Sequence, residues 1–377
     1  MNELEAMRLA IACAHTVEGR TSPRPPVGAV VIREGVVVGQ GATSPPYGPH
    51  AEVHALKQAG PAAAGADLYV TLEPCCVTIH TPPCTKAIIE AGIRRVIIGS
   101  LDPNPLVCEQ GIAQLCEAGI EVLTGIVSQE TDEIVRPFNT FVKLHRPYVT
   151  AKWAMTLDGK IATRTSDARW ISGPDSRAWV HNLRDRVDAI MIGSGTAHAD
   201  NPQLTVRLTP EQREYERIPR KGPWRVVLST RGQLGEHLSL LQPDLAAHTC
   251  IIVGETCPQQ HIQRLQERGL SVEQVACNQQ GLVDLVAALA ALAKRDIMHV
   301  LLEGGASLLG SAFDHALIDH VAVFIAPKII GGAEAPSPLR GLGLARMQDA
   351  LQLRQMRSRL IGDDLFIEGE LVPNSQV

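Results

Sequence analysis

A chain of 377 residues is longer than one ordinary hydrophobic core and points to two domains. Hydrophobic residues at 45% and charged residues at 20% match globular usage and exclude extended disorder. A net charge of −5, with no run of Lys or Arg, excludes the electrostatic footprint of a protein that tracks a phosphate backbone, so nucleic acid is not expected as a partner.

The opening Met1-Asn2-Glu3-Leu4-Glu5 carries acids where a secretory signal carries bases. No apolar stretch approaches the roughly eighteen residues of a membrane span, so a cytoplasmic location without a membrane partner is expected. Nine cysteines, an odd count, argue for reduced thiols rather than a disulfide framework. Cys13, Cys108, Cys116, Cys250, Cys257 and Cys277 stand singly and read as packing residues.

Along the chain, apolar spacing predicts a helix from Glu3 to about Glu18, ended by Gly19 and the proline-rich Thr21 to Pro26. The β-branched runs Val27 to Ile32 and Val36 to Val38, joined by Arg33-Glu34-Gly35, predict a hairpin. Helices near His50–Gly60, Cys84–Ala91 and Ile112–Ala118 then alternate with strands at Leu68–Thr71, Val96–Ile98 and Val122. The pattern predicts a layered α/β domain with helices on both faces of a sheet. Ser128 to Leu144 reads as a connecting helix, and Arg146-Pro147 marks the boundary, giving domains 1–145 and 146–377.

The second domain alternates again. Strands are predicted near Tyr148–Ala154, Ala189–Ile192, Arg225–Leu228, Cys250–Val253, His299–Leu302 and Val321–Ile325, with helices near Asp175–Arg184, His261–Arg268 and Leu282–Ala293. Thr209 to Gly222, charged and proline-rich, reads as a surface loop.

One cluster carries chemistry. His50-Ala51-Glu52 falls at a predicted helix start, Pro74-Cys75 follows a predicted strand, and Pro83-Cys84 opens a helix, where thiolates, the form that binds metal, are favoured. His50, Cys75 and Cys84 as ligands leave zinc one open position, as in a catalytic site. Glu52, beside the metal rather than on it, is the expected proton shuttle, in the pattern shared by zinc deaminases. That pattern usually has two residues between the cysteines, whereas here eight, Cys76 to Pro83, separate them. Cys76 is the alternative to Cys75, and His54 and His80 are spare ligands.

With these residues in view, the chain resembles the bifunctional riboflavin-biosynthesis deaminase/reductases from about Met7 to Glu368. Its landmarks are Pro25-Pro26-Val27-Gly28, His50-Ala51-Glu52-Val53-His54-Ala55-Leu56, Tyr69 to Cys75, Thr81-Pro82-Pro83-Cys84 and Asp102-Pro103-Asn104-Pro105. In the second half they are Leu157-Asp158-Gly159-Lys160, Trp170-Ile171-Ser172, Asp200 to Arg207, Glu303-Gly304-Gly305 and Ala326-Pro327-Lys328. The resemblance implies a cytidine-deaminase-like three-layer α/β/α domain followed by a dihydrofolate-reductase-like α/β domain. It further implies zinc and NADPH as cofactors and small phosphorylated aminopyrimidines as substrates. A homo-oligomer is expected.

Carried over by position, the resemblance implies cofactor contacts at Ala154, Trp170, Thr196, Asp200, Ser229, Gly305, Ala306, Ser307 and Leu308. It implies substrate contacts at Lys152, Ala168, Ser172, Arg184, Leu204, Arg207 and Glu303. Arg184 and Arg207 can each grip a phosphate in paired geometry, with exposed ion pairs as the plainer reading. Lys152 and Asp200 can orient the ribose carbon that is reduced, and Trp170 offers a flat wall or simple packing. The glycine turn at Glu303 to Leu308 can receive a phosphate but lacks the dinucleotide fingerprint spacing.

The chain departs from the family at Pro23-Arg24-Pro25, where Asn is usual between the prolines, and at Val77 and His80, where His and a basic residue are usual. Ala168 and Ser229 replace Ser and Asp. Arg24 is the expected replacement phosphate contact, with His80 as the other candidate. The alternative to the family substrate is another pyrimidine-derived metabolite, or a reductase with an impaired deaminase.

Overall fold

The computed structural model describes residues 1–78, 82–105 and 107–372, so His80 and Thr81 lie outside the described residues. It divides into one unit of Met1–Arg146 with Glu214–Arg220, and another of Pro147–Arg213 with Lys221–Val377. The short segment Glu214–Arg220 is a loop, exposed at most of its residues as expected, with Arg217 as the exception. The Arg217 side chain is fully buried and ion-paired to Glu18 at 3.0 Å, because its charge finds a carboxylate inside the first unit.

The first unit contains α1 (Glu3–His15), β1 (Gly28–Arg33), β2 (Val36–Ala42), α2 (Ala51–Ala59), β3 (Asp67–Leu72), α3 (Cys84–Glu90), β4 (Arg95–Ser100), α4 (Gln110–Glu117), β5 (Glu121–Thr124) and α5 (Ser128–Leu144). Its sheet has the order β2-β1-β3-β4-β5. β1 runs antiparallel to β2 and β3, while β3, β4 and β5 are parallel. Strand periodicity divides the core. Ala29 and Val31 pack with Ala51, Ala55 and Ile88 on one face, while Val30 and Ile32 pack with Met7, Ala10 and Ile134 on the other. Helix α2 can lie directly on β2 only because Gly39 and Gly41 face it. A Cβ on Gly41 would stand 2.5 Å from the Ala51 carbonyl oxygen.

The second unit contains β6 (Tyr148–Thr156), α6 (Pro174–Arg186), β7 (Ala189–Gly193), α7 (Ser194–Asp200), β8 (Trp224–Leu228), α8 (Pro243–Ala246), β9 (Thr249–Gly254), α9 (Gln259–Glu267), β10 (Ser271–Val275), α10 (Leu285–Ala293), β11 (His299–Leu302), α11 (Ala306–Asp314), β12 (His320–Ala326), β13 (Gln352–Ile361) and β14 (Asp364–Val372). Nine strands order as β10-β9-β8-β7-β11-β6-β12-β14-β13. From β10 to β12 they are parallel, and the β13–β14 hairpin joins antiparallel at the edge. Met191 packs into the cluster lined by Leu289, Leu292 and Leu309, and its neighbours Ile190 and Ile192 pack into the opposite one with Leu183, Ile262 and Leu265. A sheet buried on both faces explains the continuous apolar runs of its strands.

Candidate active sites

An extended ψ of 167° at His50 makes this residue the N-cap of α2, and its side chain makes no capping bond to the helix. Glu52, in the first turn, is buried. Cys75 follows β3, and Cys84 is the first residue of α3. The start of α3 closes on Cys75: the Cys84 N–H donates to Cys75 Sγ at 3.4 Å, and the Thr85 N–H donates to the Cys75 carbonyl at 3.2 Å. His50 Nδ1 stands 3.5 Å from Cys75 Sγ and 3.3 Å from Cys84 Sγ. All three atoms lie within 4.8 Å of one another.

These separations fit a metal. Tetrahedral zinc with ordinary Zn–S and Zn–N lengths sets its nitrogen and sulfur ligands roughly 3.6 Å apart. Soft sulfur with imidazole is also the donor set that suits zinc. Three protein groups leave a fourth position open. Cys75 and not Cys76 joins this group, and His54 is held elsewhere, its Nε2 2.7 Å from Ser44 Oγ. Hydrogen bonding from Cys84 holds the Cys75 thiol down at about 4, while the same contact and burial push the Cys84 thiol up. Burial, with the nearby Cys75 charge, pushes the Glu52 carboxyl up to about 7.

Sequence reasoning assigned no role to Glu73. It is a buried carboxylate whose Oε2 accepts from the backbone N–H of Glu109 at 3.1 Å and of Asp102 at 3.3 Å, tying down the loop after β4. Arg24 departs from the phosphate-contact expectation. Its guanidinium is spent on the carbonyls of Gly48, Ser44 and Pro45 at 2.7, 3.0 and 2.6 Å.

In the second unit the expected residues gather at the C-terminal ends of parallel strands, where open α/β sheets form crevices. Lys152 and Ala154 lie on β6, Thr196 on α7 just after β7, Ser229 just after β8, and Glu303 just after β11. Arg184 Nε and Nη2 donate to Glu303 Oε1 and Oε2 at 2.6 and 2.8 Å. Burial lowers the Lys152 ammonium, and the facing Glu303 opposes that shift. Burial pushes the Glu303 carboxyl up, but Arg184 outweighs it and holds the group low.

Thr196 Oγ1 accepts the Gly305 N–H at 2.9 Å, so these two residues close the turn before α11. Gly304 and Gly305 keep that turn free of side chains, since a Cβ on Gly305 would sit 3.0 Å from Thr196 Oγ1. The first-turn N–H groups of Ala306 and Ser307 have no intrahelical partners, the arrangement that accepts a dinucleotide phosphate. Ser307 is exposed, Leu308 half-buried and Ser229 buried.

Other expected residues are more dispersed. Trp170 is 64% exposed under the Arg177 guanidinium, and Asp200 is exposed, its carbonyl accepting from Arg169. Ala168 and Ser172 are half-buried in the loop before α6, and Leu204 packs into the core. Arg207 is exposed and bonds Gln203 Oε1 at 3.1 Å rather than joining Arg184. Sequence reasoning missed His181, whose Nδ1 accepts the Arg207 N–H at 3.3 Å. Burial and the nearby Arg184 and Arg207 charges lower it to about 4. Its spacing of three from Arg184 on a predicted helix was the available signal.

Residues 1–100 match the family model for the cytidine and deoxycytidylate deaminase zinc-binding region, and residues 147–367 match the RibD C-terminal domain. The riboflavin biosynthesis protein RibD of Aquifex aeolicus is 39% identical over 361 residues, covering 96% of each chain. The solved RibD of Acinetobacter baumannii superposes with a TM-score of 0.82 at 30% identity over 98% of both chains. A deaminase/reductase from Thermotoga maritima, solved as a diaminohydroxyphosphoribosylaminopyrimidine deaminase/5-amino-6-(5-phosphoribosylamino)uracil reductase, gives 0.81 at 32% identity and the same coverage. Similarity that runs through both halves at this level leaves one conclusion: the chain belongs to the RibD family of bifunctional riboflavin-biosynthesis deaminase/reductases.

Proposed function

We propose a division of labour for this bifunctional enzyme in which residues 1–145 deaminate 2,5-diamino-6-(5-phosphoribosylamino)pyrimidin-4-one and residues 146–377 reduce the ribosyl side chain of the product to ribityl. The observation that carries the reading is the convergence of His50 Nδ1, Cys75 Sγ and Cys84 Sγ beside the buried Glu52. His50, Cys75 and Cys84 hold zinc, which when bound supplies the Lewis acid that makes water nucleophilic near neutral pH. In the hydrolysis a bond forms from the water oxygen to ring carbon 2, the exocyclic bond from that carbon to its amino nitrogen breaks, and ammonia leaves. Glu52 would carry the two water protons in turn, the first to the ring nitrogen as the C–O bond forms and the second to the amino group that leaves as ammonia.

In the reductase, Ala154, Trp170, Thr196, Asp200, Ser229 and the turn Gly305, Ala306, Ser307 and Leu308 receive NADPH, which supplies the hydride. Lys152 and Glu303 face the reacting ribose. Arg184, braced by Glu303, and Arg207 attract the phosphate, while Ala168, Ser172 and Leu204 shape the substrate side. We place the enzyme in the cytoplasm, acting on small molecules and not on nucleic acid. Among the described residues no helix is long and apolar enough to cross a membrane.

The test incubates the full chain with the diaminopyrimidine phosphate and NADPH and follows ammonia and NADPH oxidation separately. Both are expected. Glu52→Gln should abolish ammonia release, a loss of at least ~10²–10⁴ in rate, while NADPH oxidation with already deaminated substrate continues. Loss of both activities would reject the two-site reading. We also propose a homo-oligomer formed through β13, the last strand in the sheet order, where Met356 and Leu360 are exposed. Met356→Glu with Leu360→Glu should lower the sedimenting mass, and an unchanged mass would reject that face.

A further inference from the structure

The segment Ser44-Pro45-Pro46-Tyr47-Gly48-Pro49 leads directly into His50, and three of its six residues are prolines. Prolines have no N–H, so the segment can do little to satisfy its own carbonyls. Backbone bonds close it on itself at two places: the Gly48 N–H donates to the Pro45 carbonyl at 3.1 Å, and the Ser44 N–H donates to the Pro49 carbonyl at 3.0 Å. The rest of the holding is done from outside. Arg24 Nη1 donates to the Gly48 carbonyl at 2.7 Å, and Nη2 donates to those of Ser44 and Pro45 at 3.0 and 2.6 Å. Arg24 is itself anchored, because its N–H donates to the Thr21 carbonyl at 2.9 Å and its carbonyl accepts the buried Thr21 hydroxyl at 2.8 Å.

We propose that Arg24 is a positioning residue for the metal site, a guanidinium clamp that fixes the loop 44–49 and so the place from which His50 reaches zinc. A guanidinium offers five N–H groups. Both on Nη2 and one on Nη1 are committed to carbonyls, and Nε is buried without a partner. Two hydrogens remain, the buried one on Nε and one on Nη1, and they point to different edges of the fork, which rules out the paired grip that Arg makes on a phosphate unless the loop is released. The three carbonyls also need the fork itself. A lysine ammonium can satisfy part of this set but cannot reproduce its planar spread.

The inference rests on His50 being a zinc ligand. Zinc-loaded full-length protein is challenged with a chelator, and zinc release is timed for the parent, Arg24→Ala and Arg24→Lys, with Cys84→Ser purified alongside. Groups that orient ligands typically change metal affinity by about tenfold to a hundredfold. Arg24→Ala should release zinc on the order of tenfold faster, with Arg24→Lys in between. Amide exchange at Tyr47 and Gly48 should rise in the same order, and the deaminase KM should change little. Unchanged zinc release in Arg24→Ala overturns the clamp, whatever KM does. If Arg24→Ala is insoluble, Arg24→Lys carries the same comparison, and release at the parent rate overturns the proposal. Full zinc content in Cys84→Ser would instead reject the ligand set.

Discussion

Arg184 and Glu303 meet through two parallel N–H···O bonds of 2.6 and 2.8 Å, with only 13% and 11% of their side chains exposed. The pair joins α6 to the end of β11 and leaves Lys152 facing a carboxylate whose charge is already shared. Glu303→Ala strands the guanidinium in a low-dielectric site and should cost about 3 kcal/mol. All four tryptophans, Trp153, Trp170, Trp179 and Trp224, belong to the second unit. Urea unfolding followed by tryptophan fluorescence therefore reads this unit specifically. Glu303→Gln keeps one hydrogen-bond acceptor and should cost less, while both variants lose NADPH oxidation.

His181 supplies a pH prediction. Its folded pKa of about 4 lies below the unfolded value of 6.5, so the unfolded chain binds more protons between those two values. Its contribution is fully present above about pH 6.5 and is lost as pH falls towards 4. Protonation would also abolish Nδ1 as acceptor for the Arg207 N–H, between two arginine charges. His181→Gln should therefore narrow the difference in Tm between pH 7 and pH 4.5, read by tryptophan fluorescence. An equal difference in both proteins would contradict the assignment.

The metal site should be stoichiometric and dependent on all three groups. Elemental analysis is expected to find about one zinc per chain, and Cys75→Ser, Cys84→Ser or His50→Ala should lose it together with ammonia release. Cys76→Ser should keep both, since Cys76 does not join the converging group.

Packing beneath the site offers a mutation remote from the chemistry. A methyl on Gly41 would drive into the Ala51 carbonyl at 2.5 Å, one residue from Glu52. Gly41→Ala should cost about 1–3 kcal/mol through overpacking and weaken zinc retention. The same change at the exposed turn residue Gly281, where an added Cβ meets nothing, costs only the strain of a positive φ and should leave zinc unaffected.

Local pattern alone determined much of this protein. Periodicity and turn residues set Ser128–Leu144 as a helix, put His50 at one helix mouth and Cys84 at another, and placed the central strands, because each signal depends only on neighbours in the chain. The spacing of His50, Glu52, Cys75 and Cys84 was enough to suggest zinc chemistry. Strands β10, β13 and β14 were not visible in that pattern. Gln352–Ile361 interleaves arginines with isolated apolar residues and is mostly exposed, so it lacks the apolar run that marks a buried strand. Only the tertiary structure decided what the cations do. An arginine reads the same in sequence whether it waits for a phosphate, as expected of Arg24, or is consumed by three carbonyls twenty or more residues away. The partner is chosen by long-range packing that brings a donor-poor, proline-rich loop against it, and no local periodicity encodes that encounter.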